Sequence, residues 1–72
     1  VKIDGSLVHG LLDDAMCRAK AKTIAKVSQS IGVRTIAEHV ENDETVEHLR
    51  HIGVDFMQGF GIAMPEPLKV LG

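Results

Sequence analysis

The chain has 72 residues, of which 44% are hydrophobic and 25% charged, with no Trp or Tyr and a formal net charge of −2. These proportions are typical of an ordered, soluble domain and exclude a disordered or fibrous chain. The net charge argues against binding to polymeric nucleic acid or to a membrane surface. No apolar run approaches the roughly 20 residues that span a bilayer. The single Cys17 cannot form an internal disulfide, which suits a reducing compartment.

Three short apolar runs alternate with two helical patterns along the chain. The runs are too short for helices, are bounded by turn or cap residues, and therefore predict strands. The first helix has Asp13 or Asp14 as its N-cap and Gly32 after its end. The second starts at the N-cap Asn42 and ends at Gly53. The predicted strands are Val1–Asp4, Val33–Glu38 and Val54–Gln58, and the tail Ala63–Pro67 is expected to be extended.

Both helices are predicted to be amphipathic. On a 3.6-residue wheel one side of each helix is apolar and should pack against the sheet. The apolar side of the first helix consists of Met16, Cys17, Ile24, Val27 and Ile31, and that of the second of Val46, Leu49 and Ile52.

Polar residues end each predicted strand. The order strand, helix, strand, helix, strand is the signature of parallel crossovers in an α/β fold, where ligand sites lie at the carboxyl ends of the strands. Lys2 with Asp4, Glu38 and Gln58 should therefore meet at one rim. An equally simple interpretation is that strands end in polar residues where they reach solvent.

Four segments resemble motifs of EAL domains, in the same order and at the same intervals. Lys2-Ile3-Asp4 resembles Lys-Ile-Asp, and Ala37–Glu41 resembles Ala-Glu-Gly-Val-Glu with His39 in the glycine position. Gln58-Gly59-Phe60 is similar to Gln-Gly-Tyr/Phe, and Pro65-Glu66-Pro67 to a following Pro-x-Pro. Each motif is weak alone, but four in register are specific.

The resemblance implies that residues 1–72 form part of an EAL domain, namely the C-terminal strands and helices of a (β/α)₈ TIM-like barrel. It implies a bacterial, cytoplasmic hydrolase that converts cyclic di-GMP to linear pGpG with two Mg²⁺ or Mn²⁺ ions. Glu38 would be a metal ligand, Lys2 would hold the attacking water and neutralise phosphoryl charge, and Gln58 would orient water or phosphate. Asp4 and Glu41 would support them. Hard divalent ions favour such carboxylate ligands.

Other family motifs that carry metal ligands are not found in these 72 residues, and the chain opens without Met. We therefore expect a fragment that binds no metal and has no activity by itself. Its partners would be cyclic di-GMP and the N-terminal part of the barrel. An isolated piece should self-associate, because its sheet edges and barrel-interior face would be bare.

Two alternative functional hypotheses remain. The parent domain could be a degenerate EAL domain that senses cyclic di-GMP without cleaving it, or the chain could belong to another α/β fold. The remaining candidate sites have simpler explanations: His48 and His51 as a solvated helix face, Gly59-Phe60-Gly61 as a strand end, and Cys17 as a core residue. His9 reads as a surface residue without a nearby partner in sequence. Arg18, Lys22 and Lys26 read as a solvated stripe rather than a nucleic-acid contact.

Overall fold

Seven elements make up the described part of the chain, and their order confirms the predicted β-α-β-α-β pattern. The computed structural model describes residues 1–59 and 66–68. Two short elements join the five that the sequence predicts. The bounds are β1 Lys2–Ile3, α1 Gly5–His9, α2 Ala15–Ser30, β2 Ile36–Val40, α3 Asp43–Ile52, β3 Phe56–Gly59 and β4 Glu66–Pro67.

The strands form one sheet in the order β1-β2-β3-β4. The first three strands are parallel, as expected when helices connect consecutive strands. The two-residue β4 runs antiparallel to β3 and makes the sheet mixed. This short strand comes from the proline-containing tail that the sequence predicts to be extended.

The predicted helix ends are confirmed. Asp14, rather than Asp13, caps α2 and accepts a 2.9 Å hydrogen bond from the Met16 amide. Asn42 caps α3 and accepts a 2.8 Å bond from the amide of Thr45. Gly53 ends α3 in the left-handed region with φ +89°. Side-chain caps satisfy amides that have no partner inside the helix, which is why these polar residues fix the helix starts.

The predicted buried face of α2 is wrong in part. Met16, Val27 and Ile31 are 65%, 55% and 66% exposed, whereas the residues that face the core are Ala21, Ala25 and Ser28. Small side chains let the helix lie close to its neighbours, so the bulkier apolar residues point elsewhere. In α3 the prediction holds better, because Val46 and Leu49 are buried and Ile52 is partly buried against the core.

The strand boundaries and one helix differ from the sequence prediction, and the largest shift is in β2. The segment Gly5–His9 forms α1 instead of a simple turn, since the Asp4 side chain caps it at Ser6. Strand β2 starts at Ile36, later than the predicted Val33, and continues past Glu38 to Val40. The apolar residue Val33 suggests an earlier start for this strand, but in the structure it lies in a partly exposed loop.

A reciprocal hydrogen-bonded pair joins the loops before β2 and β3. The amide and hydroxyl of Thr35 donate to Asp55 Oδ2 at 2.9 and 3.3 Å, and the Asp55 amide donates to the Thr35 hydroxyl at 3.2 Å. Thr35 is buried, so these bonds satisfy polar groups that water cannot reach. The pair fixes β2 against β3 at the end of the sheet opposite the predicted site.

Some predictions lie outside the described residues. They concern Phe60 and Gly61 after the third motif, Pro65 of the fourth motif, and the extended backbone of residues 63–65. Within the described ranges, none of the helices combines the length and the apolar character needed to cross a membrane.

Candidate functional site

Lys2, Glu38 and Gln58 lie on one face of the sheet. Lys2 pairs with Ile36 in the parallel register, and Ile36 pairs with Phe56. Because side chains alternate along a strand, Glu38 and Gln58, each two residues further, share that face. The helices and the apolar core lie on the other face. The structure thus brings together the three residues for which the sequence predicts catalytic roles.

Lys2 and Glu38 form an ion pair across β1 and β2. The Lys2 ammonium Nζ lies 3.9 Å from Glu38 Oε2, with the two side chains 67% and 30% exposed. An ion pair this accessible to water contributes about 0–1 kcal/mol to folding. The closeness of the Lys2 ammonium to the Glu38 carboxylate therefore affects the charge of the site more than the stability of the fold.

Glu38 and Gln58 also line a common depression. It has a volume of about 230 Å³ and is lined by Glu38, His39, Gln58 and Gly59. Gly59 has φ +151°, and a Cβ at this position would lie 1.9 Å from the carbonyl oxygen of Val40. Only glycine fits where β2 and β3 come this close.

A bulge in β2 shapes the wall of this depression. Ala37 pairs with Met57 and Val40 with Gly59, so Glu38 and His39 together stand opposite the single residue Gln58. A bulge of this kind redirects the side chains at an active-site edge. His39, which stands where the resembling motif has glycine, adopts the left-handed φ of +58°. The backbone keeps the conformation that glycine would allow, and an imidazole is added to the wall.

Asp4 has a local structural role as well as its position beside the predicted site. Its carboxylate caps α1 and accepts hydrogen bonds from the hydroxyl and, at 3.2 Å, from the amide of Ser6. The side-chain bond from Ser6 is the largest cause that lowers the pKa of Asp4 below its usual value of 3.8, and the backbone bond adds to it. Asp4 therefore carries its charge at neutral pH.

Glu41 is partnered by His9, a residue whose role the sequence does not reveal. His9 Nε2 lies 2.6 Å from Glu41 Oε1, and both side chains are exposed. The His9 ring also meets the His39 ring edge-on, with centroids 6.3 Å apart. His9 is exposed, as the sequence predicts for a surface residue, but it ends α1 and is placed over the end of β2, where it meets a partner that is distant in the chain. No sequence signal pairs residues so far apart in the chain.

The site offers oxygen donors that suit a hard divalent cation, but few of them. Glu38 presents a carboxylate and Gln58 an amide to the same depression. Within residues 1–59 and 66–68 no three His, Cys, Asp or Glu side chains gather as a metal site. The described residues can therefore supply one carboxylate ligand to a divalent cation, and other residues would have to complete its coordination.

The prediction that Cys17 is a core residue is wrong in part, because it is not one of the buried core residues. Cys17 is partly buried, and its pKa is raised, first by burial and then by its hydrogen bond to Asp14, which disfavours the thiolate needed in a nucleophile. His48 and His51 are exposed on α3. In the basic stripe, Arg18 donates to the Leu11 carbonyl at 3.1 Å and so helps to hold α2 against the preceding loop.

Comparison with known proteins gives a consistent result. The EAL domain family matches residues 1–65. The cyclic di-GMP phosphodiesterase PdeB of Shewanella oneidensis is 43% identical over 68 residues, which are 94% of this chain and 8% of that protein. The cyclic di-GMP phosphodiesterase PdeF of Escherichia coli K12 is 32% identical over 94% of this chain and 9% of its own length. The chain therefore spans less than a tenth of these two relatives.

Solved structures share the fold. An EAL domain protein from Listeria monocytogenes superposes with a TM-score of 0.80 and 32% identity, over 94% of this chain and 28% of that one. The phosphodiesterase PaMucR, in complex with c-di-GMP, superposes with a TM-score of 0.79 and 29% identity, over 92% and 27% respectively. The sequence match, the strand order and these superpositions agree, and the chain belongs to the EAL domain family.

Proposed function

We propose that residues 1–72 are the C-terminal part of an EAL barrel, in a bacterial cytoplasmic phosphodiesterase that hydrolyses cyclic di-GMP to linear pGpG. The observation that carries this proposal is the meeting of Lys2, Glu38 and Gln58 on one face and at one end of a parallel sheet. That location is where parallel α/β barrels hold their active sites. The relatives named as cyclic di-GMP phosphodiesterases supply the substrate class.

Each of the three residues has a group suited to phosphodiester hydrolysis. The Lys2 ammonium is a compact cation that can neutralise charge developing on the phosphoryl oxygens and hold the attacking water. Glu38, 3.9 Å away, supplies a carboxylate for a metal ion. Gln58 lines the same depression and can orient water or a phosphate oxygen through its amide. Asp4, which caps α1, and Glu41, which pairs with His9, would have supporting roles.

The metal would be Mg²⁺ or Mn²⁺. When bound, such an ion stabilises charge on the attacking and leaving oxygens of an in-line displacement. Glu38 is this chain's contribution to it, and Lys2 offsets the negative charge that Glu38 brings to the rim. A single carboxylate is too little to hold two ions, so the chain by itself should bind none and hydrolyse nothing.

The test is a substitution in the full-length protein that carries this chain. Glu38→Gln keeps the shape of the side chain but removes its charge, and we expect hydrolysis of cyclic di-GMP in Mg²⁺ or Mn²⁺ to fall by at least about 10²-fold. Glu44→Gln, an exposed acid in the first turn of α3, is the matched control. Product is measured as linear dinucleotide by chromatography. Unchanged turnover in Glu38→Gln would eliminate the proposed role of this carboxylate.

Assays of the wild-type protein distinguish an enzyme from a sensor that binds cyclic di-GMP without cleaving it. If the wild-type protein binds cyclic di-GMP in calorimetry but yields no linear product with either metal, the parent is a non-hydrolytic EAL domain. Hydrolysis by the wild-type protein excludes that alternative.

A further inference from the structure

His39 occupies a costly backbone conformation. A non-glycine residue in the left-handed region costs roughly 1–2 kcal/mol, yet here the chain places an imidazole at φ +58°. The ring finds room because Gly5 has no side chain: a Cβ there would lie 2.6 Å from His39 Cδ2. Residue 5 begins α1, directly after the Lys2-Ile3-Asp4 segment. The ring of His39 therefore lies against the start of the element that follows Lys2.

The other end of α1 contacts the same segment. His9, the last residue of α1, places Nε2 2.6 Å from Glu41 Oε1 and meets the His39 ring edge-on at 6.3 Å. Residues 39 and 41 flank Val40, which is fully buried and returns β2 to its regular pairing after the bulge. We call the contacts among His9, His39 and Glu41 the histidine latch. The latch attaches the end of α1 to the segment next to Glu38, and the packing of the His39 ring against Gly5 attaches its start.

Glu38 needs such a restraint. It lies in the bulge, where the ladder between β2 and β3 is interrupted and two residues stand opposite Gln58. Backbone pairing on the β3 side therefore holds this residue less strictly than a regular strand would. Contacts from α1 can supply part of the missing restraint on Glu38. The histidine latch provides such contacts.

We infer that His9 is a positioning residue, which fixes the Glu38–Glu41 segment through the latch and so sets the carboxylate of Glu38 relative to Lys2. This inference rests on the proposed function for its effect on turnover, and on the latch geometry alone for its effect on the backbone. The His9–Glu41 pair is exposed, so it contributes little to folding. Its contribution is to the orientation of the Glu38–Glu41 segment, in the way that residues bonded to a metal ligand orient that ligand.

The test compares three variants of the full-length protein. His9→Ala removes both latch contacts of this residue, whereas His9→Gln retains a side-chain amide that can donate to Glu41. His51→Ala removes an exposed imidazole from α3 and serves as the control. Two properties are measured: kcat and KM for cyclic di-GMP, and hydrogen exchange of the backbone amides of residues 38–41 without metal or substrate.

We expect His9→Ala to lower kcat about tenfold with KM nearly unchanged, and to speed exchange at residues 38–41. His9→Gln should recover most of both properties, and His51→Ala should change neither. If His9→Ala matches the control in exchange and in kcat, the inference is wrong. If the wild-type protein has no hydrolase activity, the proposed function fails, but faster exchange in His9→Ala would still establish the latch. A uniform loss across all amides would show general destabilisation and overturn the positioning role.

Discussion

The Lys2 ammonium lies 3.9 Å from the Glu38 carboxylate although two helices separate the residues in the chain. Parallel pairing of β1 with β2 makes this approach possible, because it aligns the carboxyl ends of both strands. At this separation the two side chains stay accessible to water, and neither charge is fully compensated by the other. Such an arrangement leaves both groups able to contact a third group, which is what the proposed hydrolysis of a phosphodiester would use.

Replacing Lys2 should affect catalysis without affecting folding. In the full-length protein, Lys2→Met removes the cation proposed to neutralise phosphoryl charge, and we expect turnover of cyclic di-GMP to fall by about 10²–10³-fold. The thermal midpoint should stay within a degree or two, since an exposed pair contributes about 0–1 kcal/mol. Turnover by chromatography and thermal unfolding check the two parts. Lys22→Met, on the exposed side of α2, is the control, and equal turnover in both variants would exclude a catalytic Lys2.

Gly59 should be far less tolerant of substitution than Gly32, although both have positive φ. A Cβ at Gly59 would lie 1.9 Å from a backbone carbonyl oxygen, which cannot easily move, whereas a Cβ at Gly32 meets nothing within 4 Å. We expect Gly59→Ala to lower the free energy of unfolding by about 3 kcal/mol, from strain and overpacking together. Gly32→Ala should cost about 1 kcal/mol, from strain alone.

Urea unfolding of the full-length protein measures this difference between the two glycine variants. Gly59→Ala should also reduce turnover, because separating β2 from β3 moves Gln58 away from Glu38. Equal stability losses in the two alanine variants would show that the close approach of β3 to Val40 is not as tight as the structure describes.

The order of elements and the meeting of the site residues were predictable from sequence, because both depend on local signals. Short apolar runs indicated the strands, and Asp14, Asn42 and Gly53 marked helix ends by the chemistry of their own side chains or backbone. Polar residues at the ends of parallel strands then had to meet at one rim. None of these steps requires knowledge of which side chains contact each other.

The contacts that depend on tertiary distance could not be predicted. Neither the bulge at Glu38 nor the pairing of His9 with Glu41 has a sequence signature, since each arises when separate elements pack. The burial of Ala21 and Ala25 instead of Val27 reflects how closely α2 approaches its neighbours. A helical wheel ranks residues by hydrophobicity and takes no account of that distance. The wheel therefore placed the packed face of α2 partly on the wrong residues, although Ile24 does pack against the core.

The Ser6 hydroxyl should keep Asp4 ionised to lower pH than an ordinary aspartate. Its hydrogen bond is the largest cause that lowers the pKa of Asp4 from 3.8 in the folded protein. The pKa is lower in the folded than in the unfolded state. Asp4 therefore adds stability above the unfolded value, and this contribution is lost as the pH falls through the folded value. Ser6→Ala should move the Asp4 pKa upward, towards 3.8.

The Asp4 titration is followed by the carboxyl carbon resonance in ¹³C-labelled protein. Ser30→Ala removes a hydroxyl that donates to the Val27 carbonyl in its own helix, and it should leave the Asp4 titration unchanged. An unaltered Asp4 titration in Ser6→Ala would mean that the α1 cap is held by backbone amides alone.

In addition to the bare sheet edges and barrel-interior face, the exposed apolar side of α2 should contribute to self-association of the isolated 72-residue chain. Met16, Val27 and Ile31 are more than half exposed and lie along one side of the helix, and burying apolar surface of this kind contributes about 25 cal/mol per Å². In sedimentation experiments we expect species larger than a monomer at micromolar concentration. The double substitution Val27→Lys with Ile31→Lys should shift the population towards monomer. The same two lysines placed at His48 and His51, on the exposed side of α3, add equal charge and should shift it less. A dilute monomer of the unsubstituted chain that unfolds cooperatively would contradict the prediction, because it would show that this surface is stable in water without a partner.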